Sequence, residues 1–197
     1  MIDFYQKHAK SYFDSTFQLD STSFLMPLAK ELQLGASILD VGCGSGRDLR
    51  WLANQGFNPT GLERSPSLAI MAREFSGCPV FVGDFFTFNF ASISVDALIL
   101  IGALVHVERH LFAEILGRVR VALNDGGLIY LSLKEGTGKH VVDDGRVFTL
   151  WSQEQMETIF MKLDLRVKGF SRQVSKLRSS DIWLGYLLCP GERNDSR

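Results

Sequence analysis

A short apolar run that ends in closely spaced glycines is the feature that most constrains this fold. Residues Ser37 to Val41 read SILDV, and the next five residues read GCGSG. A brief apolar run bounded by turn signals predicts a buried strand, and glycines permit a tight turn whose backbone N–H groups stay open to a ligand. Asp48 to Gly56 follows, with Leu49 and Leu52 at helical spacing. The stretch therefore predicts a strand, a glycine loop and a helix in succession.

Strands and helices continue to alternate along the rest of the chain. Further strands are predicted at Pro59 to Glu63, Pro79 to Gly83, Val95 to Ile101, Leu128 to Leu133, Arg166 to Phe170 and Ile182 to Leu188. Helices are predicted to begin at Ser65-Pro66, at Glu108 and at the capping box Ser152–Gln155, and Asn124 to Gly127 reads as a break. Such alternation predicts an α/β protein, a mostly parallel sheet with helices on both faces.

The end of the chain departs from that alternation. Ser171 to Ser180 is polar and lacks the apolar stripe of a crossover helix. The last two strands are therefore predicted to pair as a hairpin, which makes one strand antiparallel to the rest.

Two acids lie at the ends of predicted strands that follow the glycine loop. Glu63 ends the second strand, where a carboxylate can accept both hydroxyls of a ribose. Asp84 follows the third strand, where it can accept from an adenine amino group while Phe85 borders the ring. Arg47 stands where a dinucleotide-binding loop needs its third glycine. The spacing thus favours a nucleoside cofactor and disfavours a nicotinamide oxidoreductase.

This arrangement, with Asp40 two residues before the first glycine, resembles the class I S-adenosylmethionine-dependent methyltransferases. The resemblance covers Ser37 to Leu188. It implies a Rossmann-like seven-stranded sheet of order 3-2-1-4-5-7-6 with strand 7 antiparallel and helices on both faces. It also implies an S-adenosylmethionine-dependent methyltransferase. Details such as GSGRD and the late Trp183 are similar to small single-domain bacterial members of the tellurite-resistance and quinone-biosynthesis types.

The resemblance also assigns roles to residues. The loop glycines would line the methionine part of the cofactor, Asp40 would brace the loop or meet the amino group, and Glu63 would hold the ribose. Arg47 would meet the methionine carboxylate or form an ion pair with Asp48 or Glu63, and both alternatives stay open. The full predicted cofactor set is Asp40, Gly42, Cys43, Gly44, Gly46, Arg47, Glu63, Arg64, Asp84, Phe85, Gly102 and Ala103.

Methyl transfer needs a positioned acceptor, exclusion of water and, for some acceptors, removal of a proton. His106 follows the fourth strand and is the predicted base, although it could instead cap the helix at Glu108 or pack under the sheet edge. An N-terminal segment, residues 1–34, is predicted to form a helical lid from which Tyr12 touches cofactor or acceptor. The alternative is an amphipathic helix whose aromatic residues, Tyr5, His8, Tyr12 and Phe13, pack against the sheet edge.

Charged residues elsewhere suggest little beyond this site. Lys134, Glu135 and Arg146 are predicted on the same rim, either selecting a polar or anionic acceptor or serving as solvated loop charges. The basic run from Lys162 to Arg178 is interpreted as the solvent side of a hairpin rather than an RNA contact.

The bulk properties agree with a soluble cytoplasmic enzyme. The 197 residues carry a net charge of −1, which gives no general attraction to nucleic acid or to an anionic membrane. Cys43, Cys78 and Cys189 lie far apart in no zinc-binding pattern, so no metal is predicted. The chain is predicted to be one domain, 1–190, with a flexible tail, 191–197. The predicted function is methyl transfer to a small-molecule acceptor; an RNA or protein methyltransferase and a non-catalytic S-adenosylmethionine-binding module stay as alternatives, and oligomeric state stays open.

Overall fold

The computed structural model describes residues 2–191, with side chains from Phe4 onward, so residues 192–197 of the predicted tail lie outside it. The strands are β1 (Ser37–Val41), β2 (Asn58–Glu63), β3 (Val80–Val82), β4 (Val95–Ile101), β5 (Leu123–Lys134), β6 (Lys139–Val141), β7 (Val147–Thr149), β8 (Leu165–Val174) and β9 (Ile182–Pro190). The helices are α1 (Ile2–Lys7), α2 (Ala9–Thr16), α3 (Thr22–Ala29), α4 (Arg47–Asn54), α5 (Pro66–Ser76), α6 (Arg109–Arg120) and α7 (Gln153–Lys162). Short 3-10 turns occupy Phe90–Ser92 and Leu104–His106.

Seven of these strands form one sheet in the order β3-β2-β1-β4-β5-β9-β8. The neighbours from β3 to β5 pair in parallel, whereas β9 runs antiparallel to both β5 and β8. The last two sheet strands along the chain therefore form a hairpin whose second strand lies inside the sheet. The predicted fold, strand order and antiparallel strand are confirmed.

Strand β4, at the centre of the sheet, is apolar apart from Asp96 because helices cover both faces of the sheet. Leu98 and Leu100 of β4 point into a core shared with α6 and α7. Ala97 and Ile99, which alternate with them, point into a second core shared with α3 and α4. A parallel strand buried on both faces is apolar along most of its length, and Val95–Ile101 is such a strand apart from Asp96.

Helix boundaries follow the capping residues that the sequence supplies. Ser65 accepts a hydrogen bond from the backbone of Leu68 ahead of Pro66, and Gly77 ends that helix with a left-handed backbone. Ser152 and Gln155 form the reciprocal capping box of α7. The predicted helix starts at Ser65-Pro66, Glu108 and Ser152–Gln155 are confirmed.

Three details differ from the sequence-based expectation. Asn124 to Gly127 does not break the chain before β5 but lies within it, at a register shift opposite β4. The strand absorbs these residues as a bulge, with Gly126 at positive φ. Strand β8 extends to Val174, so the polar connection to β9 is shorter than predicted. A small hairpin of β6 and β7 was not anticipated.

Among residues 2–191, no helix is long and apolar enough to cross a membrane.

Candidate active site

The glycine loop joins β1 to α4 at the carboxyl edge of the sheet. Gly42, Gly44 and Gly46 all have positive φ, at 76°, 55° and 75°, a conformation that side chains disfavour. The loop also lies close to its neighbours: a Cβ at Gly42 would stand 2.9 Å from the Cβ of Ala103, and one at Gly46 would stand 2.9 Å from the carbonyl oxygen of Ala72. Glycine is therefore required here by backbone conformation and by close approach.

Glu63, at the end of β2, holds this loop in place. Its Oε2 accepts from the backbone N–H of Gly44 at 3.0 Å, and its Oε1 accepts from that of Ser65 at 2.8 Å. Burial raises the pKa of this carboxyl, against the lowering effect of those hydrogen bonds. Since each carboxylate oxygen has a second lone pair, Glu63 can organise the loop and still accept from a ligand.

A cavity of about 240 Å³ opens above the loop and is called here the cofactor cavity. It runs between the glycine loop, the ends of β2 to β4 and the N-terminal helices. The predicted site residues that line it are Tyr12, Gly42, Gly44, Glu63, Arg64, Phe85, Gly102, Ala103 and His106.

The other predicted cofactor residues lie beside this cavity rather than on its wall. Asp84 turns back on its own segment: its Oδ1 accepts from the N–H of Phe86 at 2.9 Å, and its Oδ2 pairs with Arg64 at 3.3 Å. Gly46 begins α4, and Cys43 is buried beneath the loop in a small cluster with α5.

Asp40 is buried under the glycine loop, and its Oδ2 has no hydrogen-bond partner among the described residues. Burial raises the pKa of this carboxyl well above its usual range, and the negative charge of Asp48 adds to the rise. An unpartnered buried carboxyl oxygen beside a glycine cradle fits a ligand that brings a hydrogen-bond donor or a positive charge. Arg47 pairs with Asp48 at 3.2 Å, one of its two predicted alternatives.

His106 lies on the 3-10 turn after β4 and makes two hydrogen bonds. Because a carbonyl only accepts, Nδ1 donates to the carbonyl oxygen of Val147 at 2.6 Å. Nε2 then accepts from the hydroxyl of Tyr5 at 2.8 Å. Burial lowers the pKa of His106 to about 4, and nearby Arg146 contributes to the lowering. The imidazole is therefore neutral at pH 7, and it does not cap α6.

Some aromatic residues of the N-terminal helices line the cofactor cavity, and others pack on the rest of the protein. Tyr5 and Tyr12 meet edge to face, with ring centroids 5.0 Å apart, and the ring of Tyr12 stands 3.3 Å from the position a Cβ would take at Gly44. Phe13 instead packs on Phe75 of α5, and His8 packs on its own helical neighbours and is exposed. Tyr5 and Tyr12 thus line the cofactor cavity, whereas Phe13 packs on the fold; the lid role of the segment stays a prediction.

A second cavity, of about 170 Å³, adjoins the first and is called here the acceptor cavity. Its walls come from α2, α3, β5, β7, the β8–β9 turn and the start of β9. Lys134 and Arg146, both predicted on this rim, line it, but Glu135 pairs with Arg172 outside it at 2.7 Å. The lining residues that the sequence did not indicate include Phe24, Ser132, Phe148, Lys176 and Arg178. These residues lie in no shared motif, so only their placement in the fold brings them together.

Among residues 2–191, no group of three His, Cys, Asp or Glu side chains is placed to hold a metal ion.

Comparison with known proteins finds one matching protein family and one curated relative. Residues 38–127 match a family described as a methyltransferase domain. An uncharacterized protein of Methanocaldococcus jannaschii is 30% identical over 134 residues, which is 66% of this chain and 50% of the relative. The chain therefore spans about half the length of that curated relative.

Solved structures share the fold at low sequence identity. A methyltransferase of Methanosarcina mazei described as S-adenosylmethionine-dependent superposes with a TM-score of 0.75 at 15% identity, over 84% of this chain and 97% of the other. The 1,6-didemethyltoxoflavin-N1-methyltransferase of Burkholderia thailandensis, solved with 1,6-didemethyltoxoflavin and S-adenosylhomocysteine, gives 0.72 at 17% identity, over 94% and 86%. The chain therefore shares its fold with these solved structures and matches a methyltransferase domain over residues 38–127. The fold expected from the sequence is confirmed.

Proposed function

We propose that this protein transfers a methyl group from S-adenosylmethionine to a small-molecule acceptor. The observation that carries the proposal is the junction of the two cavities. Tyr5, Tyr12, Ile101 and Gly102 line both of them. A cofactor bound above the glycine loop and an acceptor bound in the neighbouring cavity would meet at these four residues.

The residues of the cofactor cavity suit the parts of this cofactor. S-adenosylmethionine supplies a methyl group already activated by a sulfonium, so the chain has to bind, orient and exclude water. Glu63 would hold the ribose hydroxyls with oxygens that Gly44 and Ser65 already orient. Asp40 would face the cationic methionine end, and Phe85 would border the adenine, with the Arg64–Asp84 pair at its edge.

A small acceptor is favoured by the size and cover of the second cavity. Its volume of about 170 Å³ is smaller than the volume of about 240 Å³ of the cofactor cavity. Residues of α1 and α2 line both cavities, which supports a role for the N-terminal segment as a lid. A macromolecular acceptor would need that cover removed. The free cysteines Cys43, Cys78 and Cys189 support a cytoplasmic location.

We further propose that His106 acts by positioning Tyr5 at the junction. The Nε2 lone pair of His106 already accepts a hydrogen bond from the Tyr5 hydroxyl. The His106 pKa of about 4 is also far from the value near neutrality that suits a general base at pH 7. The base role predicted from the sequence stays a prediction, which turnover of a His106→Asn variant tests. Tyr12 would shape the same junction from α2.

The proposed function is tested by ligand-linked stability followed by turnover. S-adenosylhomocysteine should raise the melting temperature of the protein, whereas NAD should not, since a ligand of the native state stabilises it by mass action. Methyl-labelled S-adenosylmethionine, incubated with the protein and pooled small-molecule extracts, should yield labelled products. Stabilisation by NAD alone, or cofactor binding with label transferred to protein or RNA instead, would overturn the proposal.

A further inference from the structure

We infer that the acceptor cavity selects a small anionic acceptor, a single flat ring that carries a carboxylate or a comparable negative group. The inference rests on the proposed function and narrows its acceptor class. Three properties of the cavity support the inference: the excess of positive side chains on its wall, the contacts that its aromatic rings already make with cations, and its size.

Positive side chains outnumber negative ones on the wall of the acceptor cavity. The acids on this wall, within residues 4–191, are Asp20 and Asp181, and the cations are Arg47, Lys134, Arg146, Lys176 and Arg178. The acids that pair with Arg47 and Arg146 are Asp48 and Asp144, and neither of them lines the cavity. An entering molecule therefore faces more cationic groups than anionic ones.

Lys134 is the most enclosed of these cations. Its side chain is only 8% exposed, and its Nζ lies 2.6 Å from Asp181 Oδ2. Arg146 is 18% exposed and pairs with Asp144 at 2.6 Å. Each group has further N–H donors beyond those used by one carboxylate. In the acceptor cavity, these donors can form charge-assisted hydrogen bonds with an acceptor anion.

The aromatic rings of the cavity are already in contact with these cations. Lys134 Nζ stands 3.9 Å from the ring centroid of Phe148 and 5.7 Å from that of Trp183. Arg146 Cζ stands 5.6 Å from that of Phe148 and 6.0 Å from that of Tyr5. A cationic acceptor would compete for these ring faces and would be repelled by the groups that hold them. The aromatic wall therefore does not form a cage for an amine.

The cavity is the right size for one ring. Phe24 and Trp183 cross edge to face, with centroids 6.5 Å apart, and Trp183 Cη2 stands 3.2 Å from the position a Cβ would take at Gly102. Since Gly102 also lines the cofactor cavity, Trp183 lies at the junction of the two. A flat ring held beside Trp183, with its charge toward Lys134 and Arg146, would present its far edge to the junction.

The inference is tested with three probes of matched shape and different charge: benzoate, benzamide and benzylammonium. Each is titrated at millimolar concentration into the S-adenosylhomocysteine-loaded protein and followed by calorimetry or ligand-observed NMR. Benzoate should bind at least ~10-fold more tightly than benzamide, and benzylammonium should bind most weakly, because a charge-assisted hydrogen bond exceeds a neutral one by about that factor. Arg146→Gln should remove most of the preference for benzoate.

Arg172→Gln is the matched control, because Arg172 also pairs with an acid, Glu135, but lies outside the cavity. It should leave the preference unchanged. Equal or tighter binding of benzamide or benzylammonium, no binding of any probe, or an unchanged preference in Arg146→Gln would overturn the inference. Failure to bind S-adenosylhomocysteine at the loading step would instead overturn the proposed function, so the two failures are distinguishable.

Discussion

The cofactor cavity and the acceptor cavity adjoin each other but are formed by different parts of the chain. The cofactor cavity is bordered by main chain at the carboxyl ends of parallel strands, with glycines at four places on its wall: Gly42, Gly44, Gly83 and Gly102. The acceptor cavity is bordered by side chains from the N-terminal helices, the β6–β7 hairpin and the β8–β9 turn. Most of these segments lie outside the parallel part of the sheet.

The two cavities also differ in charge. Buried acids, Asp40 and Glu63, stand at the cofactor side, and burial raises the pKa of each carboxyl. Enclosed cations, above all Lys134 and Arg146, stand at the acceptor side. Acids suit a cofactor with a sulfonium and an ammonium, and cations suit an anionic acceptor. The parallel sheet thus supplies one cavity, and segments attached to it supply most of the other.

The largest expected effect of a substitution is the loss of cofactor affinity when Gly44, in the glycine loop, is replaced. Gly44→Val places a branched side chain at φ 55°, with its Cβ 3.3 Å from the Tyr12 ring, and it disturbs the N–H that Glu63 accepts. S-adenosylhomocysteine affinity should fall at least ~1,000-fold, about 4 kcal/mol of binding free energy, as measured by calorimetry.

Gly77→Ala is the matched control for backbone strain. Gly77 has φ 71°, but nothing stands within 4 Å of its Cβ position. This variant should lose about 1 kcal/mol of stability and keep full cofactor affinity. Cofactor binding that survives in Gly44→Val would show that the loop is not the cofactor site.

A smaller effect, a loss of unfolding free energy, is expected when Lys134 of the acceptor cavity is replaced. Lys134→Met leaves Asp181, whose side chain is 17% exposed, without its cation. Removing one partner of a largely buried ion pair should cost about 3 kcal/mol of unfolding free energy, measured by urea denaturation. Cofactor affinity should change little, because Lys134 does not line the cofactor cavity.

The exposed pair Lys10–Asp14, with side chains 74% and 50% exposed, supplies the comparison for Lys134. Lys10→Met should cost less than about 0.5 kcal/mol. The double variant Lys134→Met/Asp181→Asn should recover part of the loss, since it leaves no uncompensated charge. If Lys134→Met were as mild as Lys10→Met, the pair would contribute nothing to holding the acceptor cavity.

A pH-dependent effect of intermediate size is expected from His106, which lines the cofactor cavity and accepts a hydrogen bond from Tyr5. Its pKa is about 4 in the folded protein and about 6.5 in an unfolded chain, so between these values the unfolded state binds more protons. The contribution of His106 to the free energy of unfolding is therefore fully present above pH 6.5 and is lost as the pH falls toward 4. The loss should reach about 2 kcal/mol after allowance for solvent screening.

His106→Asn should remove that component from the slope of unfolding free energy against pH between 4 and 6.5. Asp40 and Glu63, whose pKa values are raised, act in the opposite sense, so the difference between wild type and variant isolates His106. His110→Asn serves as the control, because its ring is 70% exposed. An unchanged slope in His106→Asn would contradict a neutral, enclosed imidazole.

The same division explains how much of the molecule could be predicted from sequence. Ser37–Val41 and Val95–Ile101 were predicted with the bounds the structure has, because a strand buried on both faces is largely apolar, here with only Asp40 and Asp96 as charged residues. The hairpin β6–β7 was missed because three residues are too few for an alternating pattern to show. Asn124 to Gly127 has the composition of a turn, but pairing with β4 holds it in the strand as a bulge.

For the site, the sequence was most informative where consecutive residues form one structure. Strand, loop and helix follow each other from Ser37 to Asn54, and the glycine spacing, together with Glu63 and Asp84 at later strand ends, predicted a cofactor site there. That site stays a prediction. The acceptor cavity instead joins Phe24, Phe148 and Arg178, which no spacing links. Asp84 illustrates the remaining limit: its strand end was predicted, but its turn toward Arg64 and Phe86 depends on local hydrogen bonds.

The smallest expected effect tests whether Tyr5 belongs to the lid or to the cofactor side. Tyr5→Phe removes the hydroxyl that donates to His106 and keeps the ring against Tyr12. It should cost about 1 kcal/mol and speed amide exchange in α1, while S-adenosylhomocysteine affinity changes less than ~3-fold. Tyr186→Phe is the control, since the buried Tyr186 hydroxyl has no hydrogen-bond partner among the described residues, and its loss should not destabilise. A hundredfold loss of cofactor affinity in Tyr5→Phe would assign Tyr5 to the cofactor side, because a hydrogen bond that only holds a lid closed can change affinity by no more than the free energy of closure.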